Sequence, residues 1–201
     1  MPDQALSKGE RTRTNIRAAA YALFLEQGYA ATTMRQIASR ADLALSGIYN
    51  HFPGKRDIFN DVIYHHHPFH QVLPVLQSAP GETAEAFVRN AAHRMIAELG
   101  RRPDFVKLIF IELVEFEGSN LPGLFQMIFP QVLPLIQRFS DLGSELKPIP
   151  APVLLRAFIG LFFSYYMTEF LLSSANTQSF SENALDSFVD IFLHGILSEK
   201  A

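Results

Sequence analysis

The stretch that decides the fold is TMRQIASRADLALSGIYNHFPGK, residues 33–55. Thr33 and Gln36 form the pattern of a capping box, in which a hydroxyl is followed three positions later by Glu or Gln, so a helix is predicted to begin there. This first helix is predicted to end near Ala41-Asp42. A second short helix is predicted over residues 44–51, and the Pro53-Gly54 pair ends it.

Three residues meet the demands of two short helices that cross at a steep angle. Such a pair needs a small residue at the crossing, a tight turn, and an apolar residue on the second helix that faces the first. Ala38, Asp42 and Ile48 occupy these three places in turn. The stretch therefore predicts a helix-turn-helix.

The second helix of such a unit lies in the DNA major groove, and its exposed side chains define the predicted contacts. Ser46, Gly47 and Asn50 are expected to face the bases, whereas hydroxyl, imidazole and ammonium groups around them are expected to reach phosphates, which position the protein without reading sequence. The predicted DNA-binding residues are Thr33, Arg35, Leu45, Ser46, Gly47, Tyr49, Asn50, His51 and Lys55.

The rest of the chain also reads as helical. Apolar residues recur at helical spacing before Gly28, and a further helix is predicted to begin near Lys55 and to be disturbed by Pro68 and Pro74. No window alternates apolar and polar residues between turn dipeptides, so the fold class is predicted to be all-α. The longer predicted helices cover residues 83–100, 103–117, 121–141, 151–174 and 181–198.

At this point the sequence resembles a known family. Residues 16–59 are similar to the N-terminal DNA-binding region of the tetracycline-repressor (TetR) family of bacterial transcription regulators. The matching features are Ala19-Ala20, Phe24, Gly28-Tyr29, Thr32-Thr33, Ile37-Ala38, Ala41, Tyr49, His51-Phe52 and Lys55. The resemblance implies an N-terminal three-helix DNA-binding domain and a larger C-terminal helical domain. The latter would bind a small effector and form a homodimer through the last two helices, about 151–174 and 181–198.

The resemblance sets the expected domain boundaries, and three residues depart from the family pattern. Residues 1–56 are expected to form the DNA-binding domain, with residues 1–9 as a flexible arm, and residues 57–201 the effector-binding and dimerisation domain. Asp42 replaces the usual Gly, but aspartate tolerates a left-handed conformation. Ala44 replaces a capping Ser or Thr, at a cost of about 1 kcal/mol of helix stability. Arg56 replaces a common acid.

Composition narrows the class of protein further. The 201 residues carry a net charge of −3, yet residues 1–60 have a net charge of +3 and residues 61–201 have −6, which fits nucleic-acid binding by the first part. The absence of cysteine excludes disulfides, thiol nucleophiles and Cys-ligated metals. No phosphate loop or hydrolase motif stands in the chain, so neither an enzyme nor a cofactor is predicted.

The expected location is the cytoplasm. The N-terminus has no apolar stretch typical of a secretory signal. The apolar stretch at residues 157–168, between Arg156 and Glu169, is too short to span a bilayer, so no membrane contact is predicted.

An effector pocket is expected among the aromatic and Met residues of the C-terminal helices, because small-molecule sites are mostly apolar with a few polar groups. Glu112 falls on an apolar helix face, where it either pairs with an arginine, lies at the core margin, or lines the pocket. Glu169 poses the same question, with an ion pair or an interface rim as alternatives. The predicted pocket residues are Phe69, Met95, Phe105, Ile109, Glu112, Phe116, Phe125, Phe129, Phe162 and Tyr166.

One histidine cluster, His65–His70, has the spacing of a zinc site. His66 and His70 are four residues apart, but Pro68 between them breaks the helix that would align them. A solvated or pocket-lining helix is favoured, and no metal is predicted.

The predicted function is sequence-specific binding to double-stranded operator DNA. The chain is expected to be a repressor that a small, largely apolar effector releases from a palindromic operator. The alternative is an all-α protein-interaction module that binds no DNA. Tyr49, His51 and Lys55 favour the first, because an interaction module has no use for phosphate donors where a helix-turn-helix ends.

Overall fold

A computed structural model describes residues 7–174 and 183–197, and within them it contains ten helices and no strand. The prediction of an all-α fold is confirmed. The helices are α1 (Lys8–Ala31), α2 (Met34–Arg40), α3 (Leu45–Tyr49), α4 (Lys55–His66), α5 (Phe69–Gln77), α6 (Ala84–Gly100), α7 (Asp104–Phe116), α8 (Leu121–Asp141), α9 (Ala151–Ser174) and α10 (Ala184–Ile196).

The N-terminal helix begins earlier than predicted. Ser7 and Glu10 form a capping box, in which the Ser7 hydroxyl accepts from the Glu10 N–H and the Glu10 carboxylate accepts from the Ser7 N–H. Lys8 and Gly9, expected in a flexible arm, are therefore helical, and residues 1–6 of that arm lie outside the described residues. Gly28 interrupts the helix with φ of 81°, and one further turn follows it.

The helix break at the histidine cluster has a simple cause. His67 ends α4 in an extended conformation, and Pro68 caps the start of α5, because the residue before a proline is disfavoured in the helical region. Pro74 lies inside α5, which continues past it to Gln77.

By backbone packing the chain divides into two compact units. The first unit contains the described residues up to His67 together with residues 104–124, and the second contains residues 68–103 and the described residues from 125 onward. The expected functional boundary between residues 56 and 57 falls inside α4, within the first unit, and it stays a prediction.

The first unit is built around one apolar core. It joins α1–α4 with α7, and Phe116 of α7 stacks on Phe59 of α4 with ring centroids 4.8 Å apart. Tyr29 completes this aromatic cluster, at 4.8 Å from Phe116 and 5.6 Å from Phe59. The fully buried members of the core include Ile16, Ala20, Ile37, Ile48, Ile58, Phe59, Val62 and Leu108.

The second unit packs α6 against α9 and α10. Its core is aromatic, with Phe158 and Phe162 of α9 both within about 6 Å of Phe192 of α10. Two side-chain contacts join α6 to α10: an ion pair of Arg89 with Asp190 at 2.6 Å, and a hydrogen bond between His93 Nε2 and Asp186 Oδ1 at 2.9 Å.

Helix α9 contains a longer apolar segment than expected from the sequence. Its residues Ala151–Leu172 are long and apolar enough to cross a membrane by length and composition alone, whereas the expectation rested on the stretch 157–168. The difference arises because the helix continues through Arg156. A helix from the core of a water-soluble domain meets the same criterion, so this finding carries little weight.

Candidate DNA-binding surface

The turn between α2 and α3 is held by backbone geometry. Thr33 caps α2 with a reciprocal capping box to Gln36, as predicted. Asp42 takes φ of 55°, the left-handed conformation that the turn requires, and the next residue, Leu43, donates its N–H to the Ala38 carbonyl at 2.9 Å. The predicted helix-turn-helix is present.

Helix α3, the second helix of this unit, is short and begins without a side-chain cap. Ala44 occupies the N-cap position and makes no capping hydrogen bond, and the helix ends at Tyr49 with Asn50 as its C-cap. The predicted span of 44–51 is thus longer than the helix itself. His51 follows through a backbone bond to the Ile48 carbonyl at 3.0 Å.

The buried face of α3 determines which side chains point outward. Ile48 is fully buried against the core of the first unit, as the crossing of two helices required. Because Ile48 faces inward, Ser46, Tyr49 and Asn50 are exposed, and the exposed fraction of Tyr49 is 51%. Leu45 is partly buried and packs against the same core. The structure therefore brings Ser46 and Asn50, two of the three predicted base-facing residues, together with Tyr49 on one exposed surface.

The other predicted DNA-binding residues differ in how far they are exposed. Arg35 is exposed on the first turn of α2, and Thr33 lies just before it. The Thr33 hydroxyl already accepts from the Gln36 N–H at 3.2 Å and lies 2.9 Å from the Gln36 Oε1. His51 and Gly47 are half-buried.

Most cations of the first sixty residues are engaged within the protein. Arg13 and Arg17 both bind Asp61 of α4, at 2.7 Å and 2.6 Å. Arg40 makes a two-pronged ion pair with Glu26. Among the described residues 7–60, the three cations without a side-chain hydrogen bond or ion pair are Lys8, Arg11 and Arg35.

Lys55, a predicted phosphate contact, points into the protein. Its Nζ donates to the carbonyl oxygens of Tyr29 and Thr32, both at 2.7 Å. The ammonium also lies 4.1 Å from the centre of the Tyr29 ring. Burial lowers the pKa of Lys55 below its usual value, because desolvation disfavours the charged form.

Asp61 ties α4 to α1 through opposing effects on its acidity. Burial raises the pKa of Asp61, whereas the hydrogen bonds and charges of Arg17 and Arg13 lower it by more, so the net pKa lies below the ordinary aspartate value. The Asp61 side chain is only 8% exposed. The ion pair therefore stabilises the first unit at neutral pH.

Glu112 is the polar residue on an apolar face that the sequence singled out. It is fully buried, and its carboxylate accepts from the backbone N–H and the side-chain Nδ2 of Asn120, both at 2.8 Å. Of the alternatives left open for Glu112, a polar partner is present, but it is Asn120, which precedes α8, rather than an arginine. Glu117 and Gly118 between them take φ of 54° and 74°, so the carboxylate holds a tight turn between α7 and α8.

The predicted effector residues fall in both units of the chain. Phe105, Ile109, Glu112 and Phe116 belong to the first unit, whereas Phe69, Met95, Phe125, Phe129, Phe162 and Tyr166 belong to the second. Phe116 serves the core beside Phe59, and the Tyr166 hydroxyl donates to the Arg102 carbonyl at 3.1 Å. Phe125 and Phe129 are more than half exposed.

In the part of the chain that the structure describes, two of the surface depressions are lined by none of the predicted effector residues. One, of about 520 Å³, lies beside α2 between Leu23, Arg35 and Arg40. The other, of about 460 Å³, lies in the second unit and is lined by charged groups, among them Arg89, Lys147 and Asp190. The effector residues remain a prediction.

The histidine cluster is divided by the break at His67. The His66 ring stacks on Tyr21 with centroids 3.8 Å apart, and the Nδ1 of His65 lies 2.8 Å from the Asp61 carbonyl. Across residues 7–174 and 183–197, no group of three or more His, Asp or Glu side chains is placed to hold a metal ion.

Residues whose role depends on distant partners are not evident from the sequence. Asp61, Asn120 and Tyr29 carry no pattern that marks them as parts of a network. Tyr29 and Lys55 are both among the matching family positions, but nothing in their spacing shows that the lysine binds the backbone at Tyr29. Such pairings between residues far apart in the chain have no local signal.

Comparison with known proteins finds a family sequence pattern and a related protein that match this chain. The sequence pattern described as "Bacterial regulatory proteins, tetR family" matches residues 16–62. The chain is 27% identical over 176 residues to the HTH-type transcriptional repressor BepR of Brucella suis biovar 1 (strain 1330), covering 80% of this chain and 83% of that protein.

Solved structures share the fold across nearly the whole chain. NalD, the secondary repressor of the MexAB-OprM multidrug efflux pump in Pseudomonas aeruginosa, has a TM-score of 0.64 at 21% identity, with 95% of this chain and 98% of that chain covered. A TetR family transcription regulator from Marinobacter aquaeolei VT8 has a TM-score of 0.61 at 14% identity, with 94% and 97% covered. With its helix-turn-helix and its all-α fold, the chain is similar to the TetR family of bacterial regulatory proteins, whose sequence pattern matches residues 16–62.

Proposed function

We propose that this protein is a transcriptional repressor that binds a palindromic operator as a homodimer and is released by a small, largely apolar effector. The observation that carries the proposal is the outer surface of α3. Ser46, Tyr49 and Asn50 are exposed there, while Ile48 anchors the helix in a rigid core. A helix presented in this way fits the major groove.

Within this proposal the exposed residues divide into two kinds. Ser46, Gly47 and Asn50 contact base edges, because an asparagine amide can pair with adenine through two hydrogen bonds. Arg35, Thr33, Tyr49 and His51 contact phosphates and position the protein. The exposed and uncompensated charge of Arg35 supports this assignment most directly.

The proposed homodimer forms through α9 and α10. In the single chain these helices leave large apolar side chains in water, with exposed fractions of 53% for Val153, 51% for Leu171 and 64% for Ile191. Exposed apolar surface of this kind is typical of a subunit interface. A two-fold dimer places two copies of α3 in successive major grooves, which requires a palindromic site.

The proposed effector acts through a shift between two conformations. It must bind the released conformation more tightly than the DNA-bound one, since a ligand with equal affinity for both shifts nothing. The aromatic composition of the second unit supports an apolar ligand. That NalD and BepR are named repressors supports the same direction of control here. Because it acts on DNA, the protein is placed in the cytoplasm.

The first experiment tests DNA binding with no operator sequence chosen in advance. The purified protein is used to enrich duplexes from a random-sequence pool, and the enriched duplex is titrated by fluorescence anisotropy across a salt series. We expect a palindromic consensus and an affinity that falls steeply as salt rises. Enrichment of no sequence together with a flat salt response would overturn the proposal in favour of a protein-interaction module.

A pair of variants then separates base reading from positioning. Asn50→Ala should change the preference at one base position by about 1–3 kcal/mol, because it removes a contact to a base edge. Arg35→Ala should weaken binding to all duplexes alike and reduce the salt slope. If Asn50→Ala weakened every duplex equally, the assignment of α3 as the reading helix would fail.

A third experiment addresses the effector. A library of apolar and aromatic compounds is screened by thermal shift, and hits are tested for release of the enriched duplex. Binding to the DNA-free protein raises its melting temperature by mass action. A compound that raises the melting temperature and also lowers DNA affinity is the expected result, and hits that leave DNA affinity unchanged would contradict the effector-release mechanism.

A further inference from the structure

We propose that Lys55 is a positioning residue. Its hydrogen bonds connect the joint between α1 and α2, which is the segment of residues 28–33, to the start of α4 and thereby set the orientation of α2 and α3, the proposed DNA-reading helices. The inference rests on the proposed DNA-binding function, and it replaces the expectation that Lys55 contacts a phosphate. It follows from where the ammonium lies and from which groups it already serves.

The ammonium of Lys55 is occupied inside the protein. Its Nζ donates to the carbonyl oxygens of Tyr29 and Thr32 at 2.7 Å each, and the Ala30 carbonyl lies at 3.5 Å. A lysine ammonium has three hydrogens to donate, and two of them make short bonds here. The Tyr29 ring at 4.1 Å adds a cation–π contact. To reach a phosphate, Lys55 would have to give up these interactions.

The carbonyls that Lys55 binds lie at the end of α1, where that of Tyr29 also accepts the Thr32 backbone N–H at 3.1 Å. Gly28 breaks the helix with φ of 81° and ψ of 169°, and the chain then makes one more turn before Thr32 takes an extended conformation. A positive charge at a helix C-terminus binds the last carbonyls and interacts favourably with the helix dipole. Lys55 supplies that charge from a position more than twenty residues away.

The same joint is braced by its own side chains. The Thr32 hydroxyl donates to the Gly28 carbonyl at 2.8 Å, and the Gln27 amide reaches both the Ala31 carbonyl and the Thr32 hydroxyl. Thr32 is 1% exposed, so its backbone carbonyl has little access to water. Loss of the Lys55 ammonium would leave that carbonyl without its charged donor, and the joint would become less ordered.

The joint fixed by Lys55 leads directly into the DNA-reading helices. Thr33, the N-cap of α2, follows Thr32 in the chain, and Lys55 is the first residue of α4. The bond from Lys55 to Thr32 thus closes a loop that contains the whole of α2 and α3. A change in this bond alters the orientation of both helices relative to α4, whereas a lost phosphate contact leaves their orientation unchanged.

These two roles give different signatures in DNA binding. A phosphate contact contributes equally to all sequences and adds about 0.9 to the salt slope, whereas a positioning residue affects discrimination between sequences. We therefore compare Lys55→Met, which keeps the aliphatic stem over Tyr29, with Lys55→Arg, which keeps donors and charge. Arg35→Met is the matched control, since it also replaces a cation by methionine but at an exposed position.

The probes are a duplex that the wild-type protein enriches from a random pool and a scrambled duplex of the same composition. Each is titrated across a salt series with folded protein. For Lys55→Met we expect the affinity ratio between the two duplexes to fall about tenfold, while the salt slope stays unchanged. Lys55→Arg should retain most of the wild-type affinity ratio. Arg35→Met should weaken both duplexes alike and reduce the slope.

A second measurement needs no DNA. Amide hydrogen exchange of the free protein reports the order of the joint, and Lys55→Met should speed exchange at residues 29–37 whereas Arg35→Met should not. A reduced salt slope with an unchanged duplex ratio in Lys55→Met would overturn the proposal, and so would unchanged exchange at the joint. If the wild-type protein enriches no sequence, the proposed DNA-binding function fails, while the exchange measurement still decides the role of Lys55.

Discussion

Replacing Glu112 with glutamine tests whether the buried carboxylate is a structural cap. The side chain is fully buried, and it accepts two hydrogen bonds from Asn120, one from the backbone N–H and one from Nδ2, both at 2.8 Å. Glutamine has nearly the same shape but offers one oxygen instead of two. Its NH₂ group would face one of the Asn120 donors, and the surviving bond would lose its charge.

The cost can be worked from these two bonds. A hydrogen bond to a charged group contributes about 1.5–3 kcal/mol, and a buried donor left unpaired costs about 1–3 kcal/mol. With one neutral bond retained, we expect Glu112→Gln to lower the free energy of unfolding by about 2–3 kcal/mol. For a chain of this size each kcal/mol shifts the melting temperature by about 2–4 °C, so the expected decrease is about 4–12 °C.

The assay is thermal and urea denaturation of Glu112→Gln, Asn120→Ala and the double variant. Because the two residues are bonded to each other, their effects should not add, and the double variant should be less destabilised than the sum. Glu115→Gln is the control, since Glu115 is exposed on the same helix and should change stability by less than about 0.5 kcal/mol. A melting temperature for Glu112→Gln within about 1 °C of wild type would refute the capping role.

Three further outcomes are expected. Gly28→Ala should lower the free energy of unfolding by about 1–3 kcal/mol, because φ of 81° with ψ of 169° strains any residue with a side chain. Gly9→Ala in the same helix should raise it by about 0.5–1 kcal/mol. Equal melting temperatures for the two variants would contradict the strain at Gly28. Because the pKa of Asp61 is lowered, its carboxylate stabilises the protein above about pH 4, and this stabilisation is lost as the pH falls. The melting temperature of Asp61→Asn should therefore lie below that of the wild type at pH 7 and should fall less than that of the wild type on acidification. Ile191→Glu should shift the proposed dimer toward monomer in sedimentation, since the side chain is 64% exposed in the single chain, and an unchanged sedimentation coefficient would place the interface elsewhere.

The fold was predictable because its signals are local. The helix bounds expected near residues 121–141 and 151–174 match α8 and α9, since apolar periodicity and the surrounding turn residues lie within the segments themselves. The capping box at Thr33 and the left-handed Asp42 also follow from neighbouring residues, and both are present. The start at Lys8 was not predicted, although the Ser7 capping box that causes it is equally local.

The site was predictable in part. The outward positions of Ser46 and Asn50 follow from the inward position of Ile48 on a short helix, whereas Gly47, predicted to face outward with them, is half-buried. The ten effector residues rest on residue type alone. Residue type cannot show that Phe116 fills the core of the first unit, because a phenylalanine at helical spacing suits a core and a pocket equally.

What the sequence by itself determined is the all-α architecture, the helix-turn-helix and the resemblance to the TetR family, since each depends on residues a few positions apart. Only the tertiary structure decided which charges remain available. Arg13 and Arg17 are bound to Asp61, Lys55 to the carbonyls of Tyr29 and Thr32, and Glu112 to Asn120. A charge in a sequence shows what a side chain can bind, but the partner that it does bind is brought to it by the packing of helices distant in the chain, and that packing leaves Arg35 exposed while it turns Lys55 inward.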